Sequence, residues 1–119
     1  MPLTARNSRA RANGRFTRMA VPVSAAAETG TAILVNLPFA RARLFRAVSG
    51  KQVPDWAKEF DVATWGQFFL KYILASEAVN CVLPGTDKVE YMLDNLNAGR
   101  GRLPDAAMRK RMLQLIGDA

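Results

Sequence analysis

The residues best suited to chemistry in this chain lie in a turn between an apolar run and a helical pattern. The run Val79–Leu83 stops at a proline, and the letters PGTDK then lead into periodic apolar residues. A strand, a tight turn and a helix start can direct backbone N–H groups at anionic oxygens, where the helix dipole favours negative charge. Gly85 allows close approach of the backbone, Thr86 offers a hydroxyl and Lys88 a cation. The spacing alone favours a plain structural turn, which uses the same residue types, and leaves a phosphate-holding loop as the open alternative.

Other chemistry has weaker support. Asp94 and Asn95 follow the turn and offer polar groups further along the same helix, where a bound ligand could extend. Asp87, Glu90 and Asp94 recur at one-turn spacing, which is typical of a solvated helix face rather than a catalytic carboxylate pair. With no histidine and one cysteine, we expect no zinc site. No serine or cysteine has a recognisable base, so we expect no nucleophilic catalysis either.

The net charge of +7 is concentrated at the N-terminus. Residues 1–27 contain five arginines and no acid, whereas residues 28–119 contain twelve basic and ten acidic side chains. We expect residues 1–27 to form a flexible, solvated arm and residues 28–119 to form the folded part. The arm could instead bind polyanions without specificity, although Phe16 is its one aromatic residue for stacking on bases. Its likeness to a targeting peptide is faint, because a proline and a serine interrupt its short apolar stretch.

The single cysteine, Cys81, cannot form an internal disulfide, which favours a reduced cytoplasmic setting. No apolar stretch approaches the roughly 20 residues that span a bilayer, so we expect no membrane contact.

Hydrophobic patterning predicts two strands. Thr31–Phe39 is apolar and rich in β-branched residues, which favours a buried strand in a parallel sheet covered on both faces. Residues 40–54 carry three arginines and end in turn residues, which predicts a loop. Ala78–Leu83 is the second predicted strand.

The same patterning predicts four helices. The first is short and has Pro54 at its first position. The second covers residues 62–76 with Asp61 as its N-cap, and its broad apolar face contains Trp65, Phe69, Tyr72, Ile73 and Ser76. Gly66 lies within this helix at a cost of about 1 kcal/mol relative to alanine, and close packing is the expected reason for it.

The last two helices follow the second strand. One begins near Lys88 and ends near Gly99 or Gly101, and it places four apolar residues on one side: Val89, Met92, Leu93 and Leu96. The other begins near Asp105 and stops at Gly117, and its inward residues are Met108, Met112, Leu115 and Ile116.

The predicted order of elements is that of a parallel α/β sheet. Two strands do not make a stable sheet alone. We therefore expect the chain to be part of a larger α/β structure.

Residues 31–116 resemble the C-terminal third of an aldo/keto reductase. The most specific segments are FFLKYIL, the strand into VLPGT, the DN pair eight residues after Thr86, and AGRGRLPD. The resemblance implies a partial (β/α)8 TIM barrel, in which Thr31–Phe39 is the seventh strand and Val79–Leu83 the eighth. Phosphate sites of such barrels often lie in the loops after these two strands.

The resemblance also implies a nicotinamide cofactor site. Pro38, Phe39 and Ala40 would line the pyrophosphate loop. Gly85, Thr86 and Lys88 would hold the adenosine phosphate, and Asp94 and Asn95 would lie near the adenine. The family usually uses NADP(H). Tyr91 stands where family members often carry an arginine on that phosphate, so NAD(H) stays open here.

The family's reacting groups are a tyrosine, a lysine, an aspartate and a histidine on early strands, and none has a matching position in this chain. The apolar-face spacing of Tyr72 predicts a core residue, and Tyr91 is expected at the cofactor rim or the surface. Lys71 and Tyr72 are adjacent in a helix and do not face each other, which excludes them as a dyad. The resemblance therefore implies a C-terminal fragment of an NAD(P)H-dependent oxidoreductase that has no catalytic residues and is inactive alone.

Open strand edges invite self-association or pairing with a complementing N-terminal barrel piece. Two alternatives remain: a small basic non-enzymatic protein that binds nucleic acid or another polyanion through its arm, and a truncated gene product without function.

Overall fold

The computed structural model describes residues 20–117 and forms a small α/β domain. Helix α1, Ala20–Thr29, covers the end of the predicted arm, where no helix was expected. Residues 1–19 of that arm lie outside the described residues. None of the helices between residues 20 and 117 has the length and apolar character needed to cross a bilayer.

Two parallel strands form the sheet, as predicted. Strand β1 is Ile33–Asn36 and β2 is Val79–Leu83, with Asn36 paired to Leu83 at their carboxyl ends. The register shifts after Ile33, where the backbone N–H donates a 2.9 Å hydrogen bond to the side-chain oxygen of Asn80. The amide of Asn80 thus replaces a backbone acceptor at the irregularity.

Strand β1 is shorter than the predicted Thr31–Phe39 because the backbone turns at both of its ends. Gly30 has φ 67° and Leu37 has φ 52°, which lie outside the β region. The Thr31 N–H donates to the Ala26 carbonyl at 3.0 Å and so belongs to the end of α1.

The prediction that both faces of the sheet are covered is wrong for the described part of the chain. Val35 of β1 is buried, whereas Leu34, pointing the other way, is 54% exposed. Cys81 and Leu83 of β2 are exposed too. One face packs on the core and the other is open.

The predicted loop 40–54 contains a short helix, α2, Arg43–Ala47, whose Leu44 is buried. A 3₁₀ helix, Asp55–Phe60, follows, and Pro54 is its N-cap rather than its first residue.

Helix α3, Trp65–Leu74, begins at a different cap from the one predicted. Its N-cap is Thr64, whose hydroxyl oxygen accepts from the Gln67 N–H at 3.2 Å. The prediction that Asp61 is the N-cap is wrong, because Asp61 has φ 56°, ends the 3₁₀ helix and pairs with Arg102. The centre of α3 is buried all round, which explains its near-continuous apolar sequence.

The core is aromatic and centred on α3. Phe68 and Phe69 have no exposed surface, and the rings of Trp65 and Phe68 meet edge to face at 5.1 Å between centroids. The expected core position of Tyr72 is confirmed.

The predicted caps of helix α5, Ala106–Ile116, are confirmed. The Asp105 carboxylate accepts from the Met108 N–H at 2.8 Å, and Gly117 ends the helix with φ 66°. Met112 and Ile116 pack into the core.

Helix α4, Val89–Asn97, has no buried residue. Its four predicted apolar residues do share one side of the helix, but that side faces away from the rest of the described chain.

Candidate functional site

The parallel register brings the two predicted cofactor loops to one edge of the sheet. Asn36 and Leu83 are paired at the ends of their strands. Pro38–Ala40 follows the first strand end and Gly85–Lys88 follows the second. Both segments were predicted as parts of one cofactor site, and the parallel pairing makes them neighbours.

The loop after β1 is wound tightly. The Asn36 side-chain oxygen accepts from the Leu37 N–H at 2.8 Å, and the Ala40 N–H donates to the Leu37 carbonyl at 3.0 Å. Four residues without the freedom of glycine have positive φ angles of 50° to 66°: Leu37, Ala40, Arg41 and Ala42. Such conformations cost about 1–2 kcal/mol per residue and persist where the surroundings fix them.

Buried groups hold this loop in place. Pro38 is buried, and the ring of Phe39 lies 4.8 Å from that of Phe45 and 6.5 Å from that of Phe69, between centroids. Because the Phe39 ring belongs to this aromatic cluster, the loop would offer a ligand its backbone rather than its aromatic face.

The loop after β2 has little packing of its own. A side chain at Gly85 would meet nothing within 4 Å, so local packing does not require glycine there. The Thr86 hydroxyl oxygen accepts from the Lys88 N–H at 3.2 Å, which shapes the turn into α4. The first N–H groups of α4 have no intrahelical acceptor, as at any helix start.

Lys88 is the candidate phosphate-binding cation, and it also contacts an aromatic ring. Its ammonium lies 5.1 Å from the centroid of the Tyr91 ring, a distance typical of cation–π contacts. Both side chains are exposed, and so are the acids Asp87 and Glu90 beside them. A phosphate at this helix start would meet one cation and two carboxylates within four residues. Further positive charge at this edge comes from the loop after β1 and from α2, with the exposed residues Arg41, Arg43 and Arg46.

Asp94 and Asn95 lie where α4 touches α3. The Asp94 carboxylate accepts a hydrogen bond from the Thr64 hydroxyl at 2.7 Å and from the Gln67 amide at 2.8 Å. A Cβ on Gly66 would stand 3.2 Å from Asp94 Oδ2 and 3.7 Å from Asn95 Oδ1. The close packing expected at Gly66 is thereby confirmed. Both Asp94 carboxylate oxygens thus accept hydrogen bonds from α3 and its N-cap. The predicted contact with adenine stays a prediction.

Lys71 is a buried lysine whose role was not predicted from the sequence. Lys71 has no exposed surface, and its ammonium donates to three backbone carbonyls: Phe60 at 2.8 Å, Arg100 at 2.7 Å and Arg102 at 2.9 Å. Burial lowers the pKa of Lys71, with the charge of Asp61 opposing this and that of Arg102 adding to it. Lysine on the side of a buried helix is the one available signal, and it does not identify carbonyls 11 to 31 residues away.

An ion pair closes the same region. Arg102 donates from its backbone N–H at 2.9 Å and from Nε at 3.1 Å to Asp61 Oδ2, and from Nη2 at 3.1 Å to Oδ1. These side-chain hydrogen bonds lower the pKa of Asp61 to about 2. Gly101 has φ 73°, and a Cβ there would come within 2.6 Å of Asp61 Oδ2. Lys71 of α3 and Asp61 at the end of the 3₁₀ helix thus both hold the residues between α4 and α5.

Tyr72 is buried against α5. The Arg109 guanidinium lies 4.5 Å from its ring centroid, and burial raises the pKa of Tyr72, with Arg109 opposing the rise.

The three acids Asp87, Glu90 and Asp94 form no shared centre, since Asp94 turns toward α3. Within residues 20–117, no group of three or more histidine, cysteine or acidic side chains is placed to hold a metal.

Comparisons of the chain with protein-family models, with curated proteins and with solved structures found no match.

Proposed function

We propose that the chain is the C-terminal, cofactor-holding part of an NAD(P)H-dependent aldo/keto reductase-like oxidoreductase, and that it has no turnover alone. In this proposal β1 and β2 are the last two strands of a (β/α)8 barrel. The observation that supports it most is the parallel register of β1 and β2, which puts the two predicted cofactor loops at one edge. The carboxyl ends of parallel strands are where such folds bind their ligands.

The proposed site divides the cofactor between the two loops. The Phe39 N–H contacts the pyrophosphate, because Pro38 has no N–H and that of Ala40 is bonded to the Leu37 carbonyl. The neighbouring arginines add positive charge. Thr86 and Lys88 hold the adenosine phosphate at the start of α4, where the helix dipole favours an anion. Because Asp87 and Glu90 partly offset Lys88, we expect weak binding, and a dianionic 2′-phosphate gains the more from the cation.

The absence of turnover follows from the groups that carbonyl reduction needs. A proton donor must reach the developing alkoxide, and polar groups must stabilise it. The sequence has no histidine, and Tyr72 is buried with a raised pKa. A partner that adds the remaining strands would supply the reacting groups in this proposal.

Calorimetric titration of NADPH and NADH into the purified chain tests the proposal. We expect saturable binding that is lost in a Thr86→Ala, Lys88→Ala double variant. A Thr31→Ala, Lys110→Ala variant removes the same two side-chain types from other exposed elements and should bind as the wild type does. Circular dichroism of all three proteins checks that they are folded.

A folded wild type that binds neither nucleotide would contradict the proposal, and so would equal loss of binding in both double variants. Carbonyl-dependent NADPH oxidation by the pure chain would contradict the absence of turnover.

A further inference from the structure

Helix α4 presents an apolar stripe to solvent. The stripe consists of four residues at helical spacing that are between 42% and 73% exposed: Val89, Met92, Leu93 and Leu96. Scattered exposed leucines are ordinary, but a stripe at i, i+3, i+4 and i+7 is the pattern by which helices pack together.

The helix cannot roll to bury this stripe in its own chain. Asp94 lies on the opposite side of α4, and its two carboxylate oxygens are bonded to Thr64 and Gln67 of the α3 start. Gly66 leaves no space between the two helices at this point. The stripe therefore stays outward while this contact is intact.

We propose that the α4 stripe is a dimer interface, occupied by the antiparallel α4 of a second copy of this chain. A two-fold axis at the middle of the stripe places Val89 opposite Leu96 and Met92 opposite Leu93, so the stripe complements itself. Antiparallel packing also sets the two helix dipoles against each other favourably. The dimer requires no nucleotide and is independent of the proposed function.

The charges at the two ends of the helix favour the same arrangement. Asp87 precedes α4 and Arg100 follows it, both are exposed, and neither forms an ion pair with another residue in the range 20–117. In the antiparallel pair the segment after α4 of one copy, which carries Arg100, meets the segment before α4 of the other copy, which carries Asp87. Asp87 and Glu90 outnumber Lys88 at the start of α4, so each end of the dimer brings a net negative charge toward Arg100, whereas a parallel pair would bring like charges together.

The length of α4 sets the strength of the interface. Nine residues rise only about 13 Å, so two such helices bury less than the roughly 1,200 Å² of a stable standard complex. We therefore expect a weak dimer that forms as the protein concentration rises.

Sedimentation velocity of the full chain over a wide concentration range tests this inference. We expect a monomer–dimer equilibrium that Leu93→Glu weakens at least about ten-fold, since the substitution puts two carboxylates at the centre of the interface. Leu34→Glu is the matched control, because Leu34 is as exposed as the stripe but lies on the open face of the sheet. It should leave the equilibrium unchanged.

A charge exchange tests the antiparallel orientation. Asp87→Arg and Arg100→Asp should each weaken the dimer, and the double variant should restore it. Both positions are exposed, so the variants should keep the wild-type circular dichroism spectrum. The inference would be overturned by a wild type that stays monomeric at every concentration, or by association that survives Leu93→Glu. Association lost only in Leu34→Glu would overturn it too, as would a charge-exchange double variant that dimerises no better than the single variants.

Discussion

The Thr64 hydroxyl donates a 2.7 Å hydrogen bond to the Asp94 carboxylate while its oxygen caps α3 through the Gln67 N–H. One side chain thus fixes the start of α3 and the position of α4 together. This contact determines which side of α4 faces outward, and it sets the position of the helix start proposed to hold the cofactor.

Energetic coupling between Thr64 and Asp94 is the first prediction. Thr64→Val removes a cap of about 1 kcal/mol and a hydrogen bond to a charged group, so we expect a loss of about 2 kcal/mol in the free energy of unfolding. Asp94→Ala should cost less in the Thr64→Val background than in the wild type, with a coupling of at least about 1 kcal/mol. Urea unfolding of the four proteins measures this. Strictly additive losses would contradict a shared contact.

The effect of Gly66→Ala on stability should have opposite signs in the wild type and in the Asp94→Ala variant. Alanine gains about 1 kcal/mol in helix propensity, but its Cβ would lie 3.2 Å from Asp94 Oδ2, and two hydrogen bonds hold that oxygen's carboxylate in place. We expect Gly66→Ala to destabilise the wild type and to stabilise the Asp94→Ala variant. Thermal unfolding of both pairs measures the two signs. The same sign in both backgrounds would rule out Asp94 as the reason for glycine.

The sequence predicted elements whose signals are local. Strand β2 was predicted with its observed end and within one residue of its observed start, because an apolar run met a proline. The caps of α5 at Asp105 and Gly117 were also predicted, since cap preferences depend on residues within a few positions. The two cofactor loops were named together from the family resemblance, because the local pattern of Pro38–Ala40 does not by itself identify a phosphate loop.

What the sequence did not predict depends on distant partners. Asp61 is as good a cap residue as Thr64, and its pairing with Arg102, 41 positions away, decides between them. The spacing of Thr64 and Gln67 matches a capping box and could have pointed to the correct start. The outward stripe of α4 follows from Asp94 bonding to α3 across 27 to 30 positions, and no local pattern contains that contact.

Lys71→Met should destabilise the fold by about 3 kcal/mol, because three carbonyls lose their donor and the one of Phe60 is buried. Methionine keeps the length of the side chain, so lost packing contributes little. Lys58→Met is the matched control, since Lys58 pairs with Asp55 at the surface and 79% of its side chain is exposed. That variant should change stability by less than about 0.5 kcal/mol. Chemical denaturation compares the two, and equal effects would show that the three hydrogen bonds are not stabilising.

The Asp61–Arg102 pair should make stability depend on pH at the acid end. Hydrogen bonds from Arg102 lower the pKa of Asp61 from 3.8 to about 2. A carboxyl whose pKa is lowered by folding stabilises the protein above its unfolded pKa, so this contribution is lost as the pH falls from 3.8 through 2. Asp61→Asn should be less stable than the wild type at neutral pH and should lack this part of the acid loss. Thermal midpoints measured across this pH range give both comparisons. High salt should reduce the Asp61 effect because both partners are accessible. An Asp61→Asn profile parallel to that of the wild type would show that Arg102 does not hold this carboxyl in its charged form.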